Sequence, residues 1–287
     1  MERDGQIVNA MSVDVEDYFQ VQAFADTIER TSWETRECRV ETNTDNVLQL
    51  FDEAGIHATF FTLGWVAERY PQLIRRIVDQ GHELASHGFA HFRADEQTQE
   101  EFREDIRRTK TLLEDTGGTA VRGYRAATFS IGARNMWAFE ILHEEGYAYS
   151  SSVNPIRHDF YGMPDAPRFG FQPNGSSGID EFPITTVKLG NRNFPCGGGG
   201  FFRLLPYAAY RWALRRVNAA DRQSCIFYFH PWEIDPDQPQ MSNISFKTRF
   251  RHYLNLKRTA PRLRALTQDF LWDRMDRVFL GADEKAL

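Results

Sequence analysis

The stretch HATFFTLGWVAERYPQLIRRIVDQGHELASHGFAH, residues 57–91, decides how the chain folds. It begins with a short apolar run, residues 58–64, which has the length and composition of a buried β-strand. Residues 65–81 follow with helical spacing and end in a glycine, and Pro71 suits the first turn of the main helix. HELASHG, residues 82–88, then predicts another strand. The stretch therefore predicts a β–α–β unit, which is the building block of parallel sheets.

The same alternation continues on both sides of this unit. We predict further strands at 7–15, 120–127, 147–153 and 224–230, and helices at 44–55, 96–118, 135–146 and 206–220. Strands that alternate with helices in this way favour a mostly parallel sheet or barrel with the helices outside.

Two regions depart from this rhythm. Residues 157–200 are rich in Pro, Gly and Asn and include GGGG at 197–200, so we expect long loops around one short strand, 180–187. Residues 246–270 form a basic, amphipathic tail, in which we expect a break at 259–260 and a second helix opened by Pro261. We predict a single domain, 1–287, in which 236–287 is a C-terminal helical extension packed on the barrel.

Composition excludes several classes of protein. The chain has 287 residues, of which 41% are hydrophobic and 26% charged, so one large α/β barrel fits as well as two smaller domains. The net charge is −6 and we find no basic stripe, which argues against nucleic-acid binding. No apolar run is long enough for a membrane span, and the N-terminus does not look like a signal peptide. The three cysteines show no disulfide or metal spacing, so a cytoplasmic location is predicted.

Polar side chains stand where four of the predicted strands end. The first strand ends in Asp14, Glu16 and Asp17. The strand at 82–88 ends in His87, with His91 just beyond it, and two later strands end in Arg125 and His230. Chemistry in α/β barrels gathers at the C-terminal ends of the strands, so these side chains should converge. A bare His-x-x-x-His is weak evidence, since two unrelated imidazoles near a turn give the same pattern.

The acids of the first strand make a metal site a better interpretation of the two histidines. Strand alternation puts Asp14 and Glu16 on one face, and Asp17 also turns inward if the strand ends at Glu16. One helical turn between His87 and His91 would put both imidazoles on one face. Two histidines and a carboxylate are typical ligands of a catalytic Zn²⁺ that keeps a position open for water, although Fe, Co and Ni also fit. A solvated acidic turn is the alternative.

Arg125 and His230 each have a plain and a functional interpretation. Arg125 is either a surface arginine or the partner that holds a buried carboxylate ionised through paired hydrogen bonds. His230 is either a strand-end histidine bonded to backbone or a general acid, and the four apolar residues before it favour the second interpretation.

Together these motifs resemble the NodB-type polysaccharide deacetylases, carbohydrate esterase family 4, and look closest to the branch found beside exosortase and exopolysaccharide gene clusters. The resemblance runs from about Asp14 to Phe270. Residues 57–91 carry it most specifically, and the later motifs follow in order: RGYRAATFSIG (122–132), GYAYSSSVNP (146–155) and FYFHPWEID (227–235).

The resemblance implies a distorted (β/α) barrel that binds a divalent metal, expected to be Zn²⁺, and removes N-acetyl groups from amino sugars of a polysaccharide. It assigns Asp14 as catalytic base, Arg125 as the arginine that orients the base, and His230 as catalytic acid. It assigns His87 and His91 as metal ligands. The metal-binding acid falls on Glu16 or on Asp17, depending on the alignment, and strand geometry favours Glu16.

The chain departs from the family pattern at several positions. The first motif lacks adjacent aspartates, Ala127 replaces a proline, Ser150 stands where an aspartate is usual, and Phe201 follows the glycines where tyrosine is common. The change at Ser150 puts a supporting hydrogen bond in doubt. Trp232, Phe201 and Tyr124 are candidates for stacking on sugar rings, with ordinary core aromatics as the alternative.

Two other functions stay open at this point. One is a hydrolase that acts on a small cyclic imide or amide, and its substrate would distinguish it. The other is a carbohydrate-binding module with weak catalysis, which would bind glycan without releasing acetate. The sequence leaves the oligomeric state open.

Overall fold

The β–α–β unit predicted at residues 57–91 is present in the computed structural model, which describes residues 1–3, 5–159, 161–173 and 178–281. Strands β3 (Thr59–Thr62) and β4 (Glu83–Ser86) pair in parallel. The segment between them forms two helices, α2 (Gly64–Arg69) and α3 (Pro71–Asp79), which meet at Tyr70. Pro71 opens α3, as expected, because its missing N–H is not needed in a first helical turn.

The remaining elements alternate along the chain. The other strands are β1 (Glu2–Arg3), β2 (Gln6–Val15), β5 (Gly123–Tyr124), β6 (Tyr149–Ser150), β7 (Asp180–Glu181), β8 (Thr186–Leu189), β9 (Arg192–Pro195), β10 (Ile226–Phe229) and β11 (Leu271–Asp273). The other helices are α1 (Val40–Ala54), α4 (Gln99–Gly117), α5 (Trp137–Glu144), α6 (Gly199–Leu204), α7 (Tyr207–Arg216), α8 (Phe246–Tyr253) and α9 (Leu256–Asp269).

The main sheet is a curled, mostly parallel half-barrel. Its order is β1-β2-β3-β4-β5-β6-β7. Strand β10 pairs with β2 on the side opposite β3, and β11 pairs with the first half of β2 on the same side as β3. Strand β1 is antiparallel to β2, and β8 and β9 form a separate hairpin. Because β2 lies between strands from both ends of the chain, the polar residues at its C-terminal end are close to those of β4, β5 and β10. The predicted distorted (β/α) barrel is confirmed.

The outer helices pack through the apolar faces that their spacing predicts. Helix α3 buries Leu73, Ile74 and Ile77 against the sheet. Helix α4 begins in a capping box, in which the Thr98 side chain accepts from the Glu101 amide and Glu101 accepts from the Thr98 amide. Such caps satisfy amides that the first helical turn leaves open. Among the described residues, no helix has the length and hydropathy needed to cross a bilayer.

The loop region and the tail contain more regular structure than the sequence predicts. The region 157–200 holds the β8–β9 hairpin and the start of α6, and the strand predicted at 180–187 is only β7 followed later by β8. The expected break at 259–260 is wrong. The chain turns at Asn255, whose φ is 54°, and Pro261 lies inside α9.

The predicted extension, 236–287, also contributes β11 to the main sheet, and its last residues, 282–287, lie outside the described residues. The assignment of the whole chain to one domain stays a prediction.

Candidate active site

Five of the polar residues predicted at strand ends line one pocket of about 190 Å³. These residues are Asp14, Glu16, His87, His91 and His230. Arg125 lies behind the pocket wall and is fully buried, with its guanidinium bonded to Asp14. The structure therefore brings together six of the seven predicted site residues, and the seventh, Asp17, points elsewhere.

Glu16, His87 and His91 form the cluster in the pocket that can hold a metal ion. One ligand atom from each lies within 4.8 Å of the others. The Nδ1 atom of His87 lies 2.8 Å from the carbonyl oxygen of Arg125, and because a carbonyl only accepts, Nδ1 carries the proton. This hydrogen bond leaves the Nε2 lone pair of His87 available as a ligand.

The histidines converge through a loop, so the expected helical turn between them is wrong. Gly88 has φ of 74° and His91 has φ of 53°, both in the left-handed region. The amide of Phe89 donates to the Asp105 carboxylate on α4, which holds the loop against the barrel. A side chain at residue 88 would add backbone strain and would also contact Asp105.

The environment of Glu16 fits a divalent cation. Its Oε2 is buried and, within the described residues, has no hydrogen-bond partner, although the Nε2 of His91 lies 3.0 Å away. Burial raises the pKa of Glu16 to about 7 and lowers the pKa of His87 and of His91, which favours neutral imidazoles. A buried carboxylate oxygen beside two neutral imidazoles is unfavourable unless a cation neutralises it. The donor set is also one that Zn²⁺ accepts.

The Asp17 carboxylate caps the start of α1 and does not line the pocket. Its carboxylate accepts from the amides of Tyr18, Arg39 and Val40 at distances of 2.8, 2.6 and 2.9 Å. The last two amides belong to the start of α1, so Asp17 satisfies donors that the first helical turn leaves open. This placement favours Glu16 over Asp17 as the acid of the metal cluster.

Asp14 and Arg125 form a buried ion pair. The Nη1 of Arg125 lies 2.5 Å from the Oδ1 of Asp14 and also donates to the Ser12 hydroxyl. The other side of the guanidinium donates to the carbonyl and hydroxyl of Ser151, so Arg125 is held between β2 and the residue that follows β6. The Oδ2 of Asp14 is left facing the pocket, 3.9 Å from the Nε2 of His230.

His230 is held by a carboxylate that sequence reasoning missed. Its Nδ1 donates to the Oε1 of Glu233 at 2.8 Å, and the Nε of Arg203 donates to the Oε2 of Glu233 at 2.6 Å. Glu233 also accepts from the His230 amide, so His230 and Glu233 form a capping box. The spacing H-P-W-E, with Pro at the first helical position, was a signal that could have identified Glu233.

Charges around His230 and Glu233 set their ionisation. Burial alone would lower the pKa of His230, but Glu16, Glu233 and Asp14 outweigh it and raise the pKa to about 9. Burial alone would raise the pKa of Glu233, but Arg203 and His230 lower it to about 2. A cation beside Glu16 would offset part of the negative charge and bring the pKa of His230 back towards its ordinary value.

The candidate stacking aromatics have different positions. Trp232 lines the pocket, and its ring lies between those of His230 and His252 at centroid distances of 5.2 and 4.2 Å. Tyr124 is buried in the hydrophobic core, and Phe201 lines another cavity of about 670 Å³. Of the three, Trp232 alone is in the pocket.

Two family descriptions match most of the chain. Residues 26–149 match the family described as Polysaccharide deacetylase, and residues 151–280 match the family described as Domain of unknown function (DUF3473). The first match contains His87, His91 and Arg125, and the second contains His230 and Glu233. The pocket is thus built from both matched spans, together with Asp14 and Glu16, which precede them.

Curated relatives match shorter parts of the chain. A peptidoglycan deacetylase of Helicobacter pylori is 28% identical over 125 residues, which are 42% of this chain and 39% of the relative. A chitooligosaccharide deacetylase of Sinorhizobium fredii is 50% identical over 48 residues, which are 17% of this chain and 22% of the relative. The chain thus spans well under half the length of these relatives. Neither relative's name bears on the predicted exosortase-associated branch, which stays a prediction.

Solved structures share the fold across almost the whole chain. A candidate polysaccharide deacetylase of Mycobacterium smegmatis superposes with a TM-score of 0.60 at 19% identity, covering 97% of this chain and 91% of that one. An allantoinase superposes with a TM-score of 0.57 at 14% identity, covering 95% and 88%. The fold therefore does not by itself choose between a sugar amide and a small cyclic amide. The sequence matches identify the domains: residues 26–149 carry a polysaccharide deacetylase domain of the NodB type, carbohydrate esterase family 4, and residues 151–280 carry the domain DUF3473.

Proposed function

We propose that this protein is a metal-dependent hydrolase that removes N-acetyl groups from the amino sugars of a polysaccharide. The observation that carries the proposal is the arrangement of the side chains that line the pocket. A carboxylate fixed by a buried arginine and a histidine fixed by a buried carboxylate face each other beside the cluster of Glu16, His87 and His91.

The metal would be held by Glu16, His87 and His91. When bound, a divalent ion supplies Lewis acidity that polarises an amide carbonyl and lowers the pKa of water. Zn²⁺ suits the two imidazoles and one carboxylate, and Fe, Co and Ni suit them as well.

Asp14 would act as the general base. Arg125 occupies Oδ1, so Oδ2 is the oxygen that can take a proton from a water molecule in the pocket. The hydrogen bond from Arg125 holds the Asp14 carboxylate in place and adds a positive charge beside it. The oxygen of that water then attacks the acetamide carbon and forms the new C–O bond.

His230 would act as the general acid. Glu233 accepts a hydrogen bond from the Nδ1–H of His230, which directs Nε2 towards Asp14 and the pocket. As the C–N bond of the acetamide breaks, Nε2 gives its proton to the departing nitrogen. The sugar leaves as a free amine and the acetyl group as acetate, so one water is consumed for each bond broken.

Aromatic side chains shape the rest of the pocket. Phe129, Tyr228 and Trp232 line it, and all three are at most 9% exposed. Their faces exclude water and leave an apolar surface suited to the methyl of an acetyl group. This surface would favour acetamide over bulkier amides.

An acetate-release assay on N-acetylglucosamine oligomers tests the proposal. Wild type should release acetate, and Asp14→Asn and His230→Ala should each reduce kcat by a factor of about 100 or more. The matched control is His143→Ala, because His143 is exposed on α5 and outside the pocket.

Two outcomes of this assay would overturn the proposal. Hydrolysis of a soluble cyclic imide with no acetate from any N-acetylated glycan would indicate the small-amide hydrolase instead. Glycan binding without acetate release from a metal-loaded protein would indicate a binding module. The cytoplasmic location and the link to exopolysaccharide synthesis stay predictions from the sequence.

A further inference from the structure

Two further cavities continue from the pocket of Asp14 and His230. Phe129 and Tyr161 line both that pocket and a second cavity of about 460 Å³. His158 lines the second cavity and also a third cavity of about 670 Å³. Neighbouring cavities thus share walls, and we call the second and third cavities together the side groove.

The sizes of these cavities indicate a substrate that extends beyond the pocket. The pocket itself, about 190 Å³, is smaller than the roughly 300–1,000 Å³ of typical small-molecule sites. Each cavity of the side groove falls within that range. A ligand that fills the whole site is therefore several rings long, which favours an oligosaccharide over a small imide.

The side groove contains a surface suited to a sugar ring. The rings of His158 and Tyr161 are stacked with centroids 4.1 Å apart and planes 19° apart, and both residues are partly exposed. They stand where the second cavity meets its two neighbours. The apolar face of a pyranose packs well on such flat rings, because stacking buries C–H groups without covering the hydroxyls.

The side groove is also locally basic in an acidic chain. Arg134 lines the second cavity, Arg157 and Arg192 line the third, and none of the three has a carboxylate partner within the described residues. Asp165 lines the third cavity as well. These groups leave an excess of positive charge, although the whole chain has a net charge of −6.

The two other acids of the second cavity do not cancel this charge. Asp95 accepts from Arg93 at 2.7 Å, and Asp159 accepts from Lys247 at 2.6 Å. Each acid is therefore neutralised by a cation that is not one of the three open arginines. Guanidinium groups without an anion are suited to bind carboxylates, which they can hold through two parallel hydrogen bonds.

We propose that the side groove binds an acidic oligosaccharide, in which carboxylate-bearing sugars lie on Arg134, Arg157 and Arg192 while the N-acetylated sugar to be hydrolysed occupies the pocket. This inference rests on the proposed deacetylase function and names its substrate class. It also implies that the enzyme acts on sugars within a chain, since the groove leads away from the pocket past His158.

Acetate release from charged and neutral oligomers of equal length tests the inference. The acidic probe is a hexasaccharide of alternating glucuronate and N-acetylglucosamine, and the neutral probe is the N-acetylglucosamine hexamer. Wild type should have a kcat/KM per acetyl group about ten-fold higher on the acidic probe, and added salt should reduce this preference. The double variant Arg157→Gln/Arg192→Gln should lose the preference, because its KM for the acidic probe rises more than its KM for the neutral probe.

A matched control separates this effect from a general loss of charge. Arg75 is exposed on α3, away from the groove, and Arg75→Gln should keep the wild-type preference. Equal kcat/KM for the two probes in wild type, or a preference that the double variant retains, would overturn the inference while leaving the deacetylase proposal intact.

If no oligomer releases acetate, the proposed deacetylase function has failed. A binding measurement then tests separately whether the side groove binds an acidic oligosaccharide. Titration of the acidic hexasaccharide into Asp14→Asn would then test the groove alone. Binding that the added Arg157→Gln/Arg192→Gln changes weaken about ten-fold would support the groove. No binding, or binding that these changes leave unaltered, would overturn it.

Discussion

Glu16 and Asp17 are adjacent in the chain but have different roles, because the chain turns where β2 ends. Strand alternation predicts that Asp14 and Glu16 share a face, and they do line the same pocket. The direction of Asp17 depends on where β2 ends, and the alternation does not fix that. Because β2 ends at Val15, the chain turns and the Asp17 carboxylate reaches the start of α1.

Substitution of each acid should separate their tasks. Glu16→Gln should fold normally and lose the bound metal, because the amide supplies no charge to neutralise the cation. Asp17→Asn should keep the metal but reduce the free energy of unfolding by about 1–3 kcal/mol, because one of its oxygens becomes a donor that faces amides. Metal analysis and urea unfolding check both. Metal lost in Asp17→Asn and kept in Glu16→Gln would reverse the assignment.

The serine at position 150 departs from the family pattern, but this departure does not show which side chains support His230. The serine at position 150 raised doubt about a supporting hydrogen bond, and its hydroxyl bonds to Ser152 instead. The carboxylate that supports His230 belongs to Glu233, three residues farther along the chain in the short helix that follows β10. Glu233 is itself part of the motif FYFHPWEID, and its role depends on the fold, which brings Arg203 to its second carboxylate oxygen.

Glu233→Gln should lower kcat by a factor of about 10–100 while KM and metal content stay unchanged, because His230 loses its orientation and not its contact with substrate. The variant also leaves the buried Arg203 unpaired, which destabilises the fold. Arg203→Met/Glu233→Gln removes both charges and should recover stability without recovering kcat. Recovered activity in the double variant would show that Glu233 is only structural.

At the scale of elements, the glycines at 197–200 are the clearest difference between expectation and structure. They predict a loop, yet α6 begins at Gly199. A Cβ at Gly199 would lie 2.3–2.6 Å from the carboxylate of Glu233, and a Cβ at Gly200 would meet nothing within 4 Å. Gly199 is therefore required by the approach of α6 to the pocket, a long-range contact that sequence patterns do not contain.

Gly199→Ala should accordingly reduce activity as Glu233→Gln does, because the new methyl displaces the Glu233 carboxylate from His230. Gly200→Ala is the matched control, one residue along the same helix, and should keep full activity and gain slightly in stability. Acetate release and thermal unfolding check the pair. Equal activity of the two variants would contradict the account of the glycine run.

Periodicity predicts the long elements well and the short ones poorly. Helices α3 and α4 follow from apolar spacing, caps and Pro71, all of which are local signals. Helix α1 begins at Val40, four residues before the predicted start at 44, because Asp17 binds its first amides. Strand β11 is three residues long and exists through its pairing with β2, so no local pattern marks it.

His82, at the start of β4, should make the fold sensitive to acid. Its Nδ1 accepts from the Ala58 amide, and burial together with the charges of His57 and Arg274 lowers its pKa to about 3. The folded state therefore binds a proton less readily than the unfolded state, in which the pKa is about 6.5. Its contribution to stability is complete above that value and is lost as the pH falls from 6.5 towards 3.

His82→Gln keeps an acceptor for the Ala58 amide and removes the titrating group. Between pH 7 and pH 5, wild type should lose about 2 kcal/mol more unfolding free energy than this variant. Urea unfolding of both proteins at the two pH values measures the difference. The same loss in both proteins would contradict a neutral buried imidazole at this position.

At the scale of the whole molecule, the pocket depends on both ends of the chain. Strand β2 carries Asp14 and pairs with β10 on one side and with β3 and β11 on the other. The span that matches DUF3473 supplies His230 and its support, and the span that matches the deacetylase family supplies the histidines of the metal cluster. The two matched spans thus share one sheet and one pocket.

The sequence predicts the residues of the site better than their arrangement. The alternation of strands and helices is a local pattern, and it predicts which polar residues stand at the ends of strands. These residues could therefore be named in advance: Asp14, Arg125, His87, His91 and His230. The contacts that orient them join distant parts of the chain, such as α6 to β10 and β2 to α1. These contacts depend on tertiary packing, and a single sequence does not encode them in a readable pattern.

The measurement that tests the central claim most directly is the metal content of the purified protein by mass spectrometry, for wild type, His87→Ala and the control His143→Ala. Glu16, His87 and His91 form a buried cluster in which one carboxylate oxygen has no hydrogen-bond partner among the described residues. Wild type and the control should therefore each contain close to one divalent ion per chain. His87→Ala should contain almost none. Metal at equal levels in all three proteins, or in none of them, would contradict the metal site and the mechanism built on it.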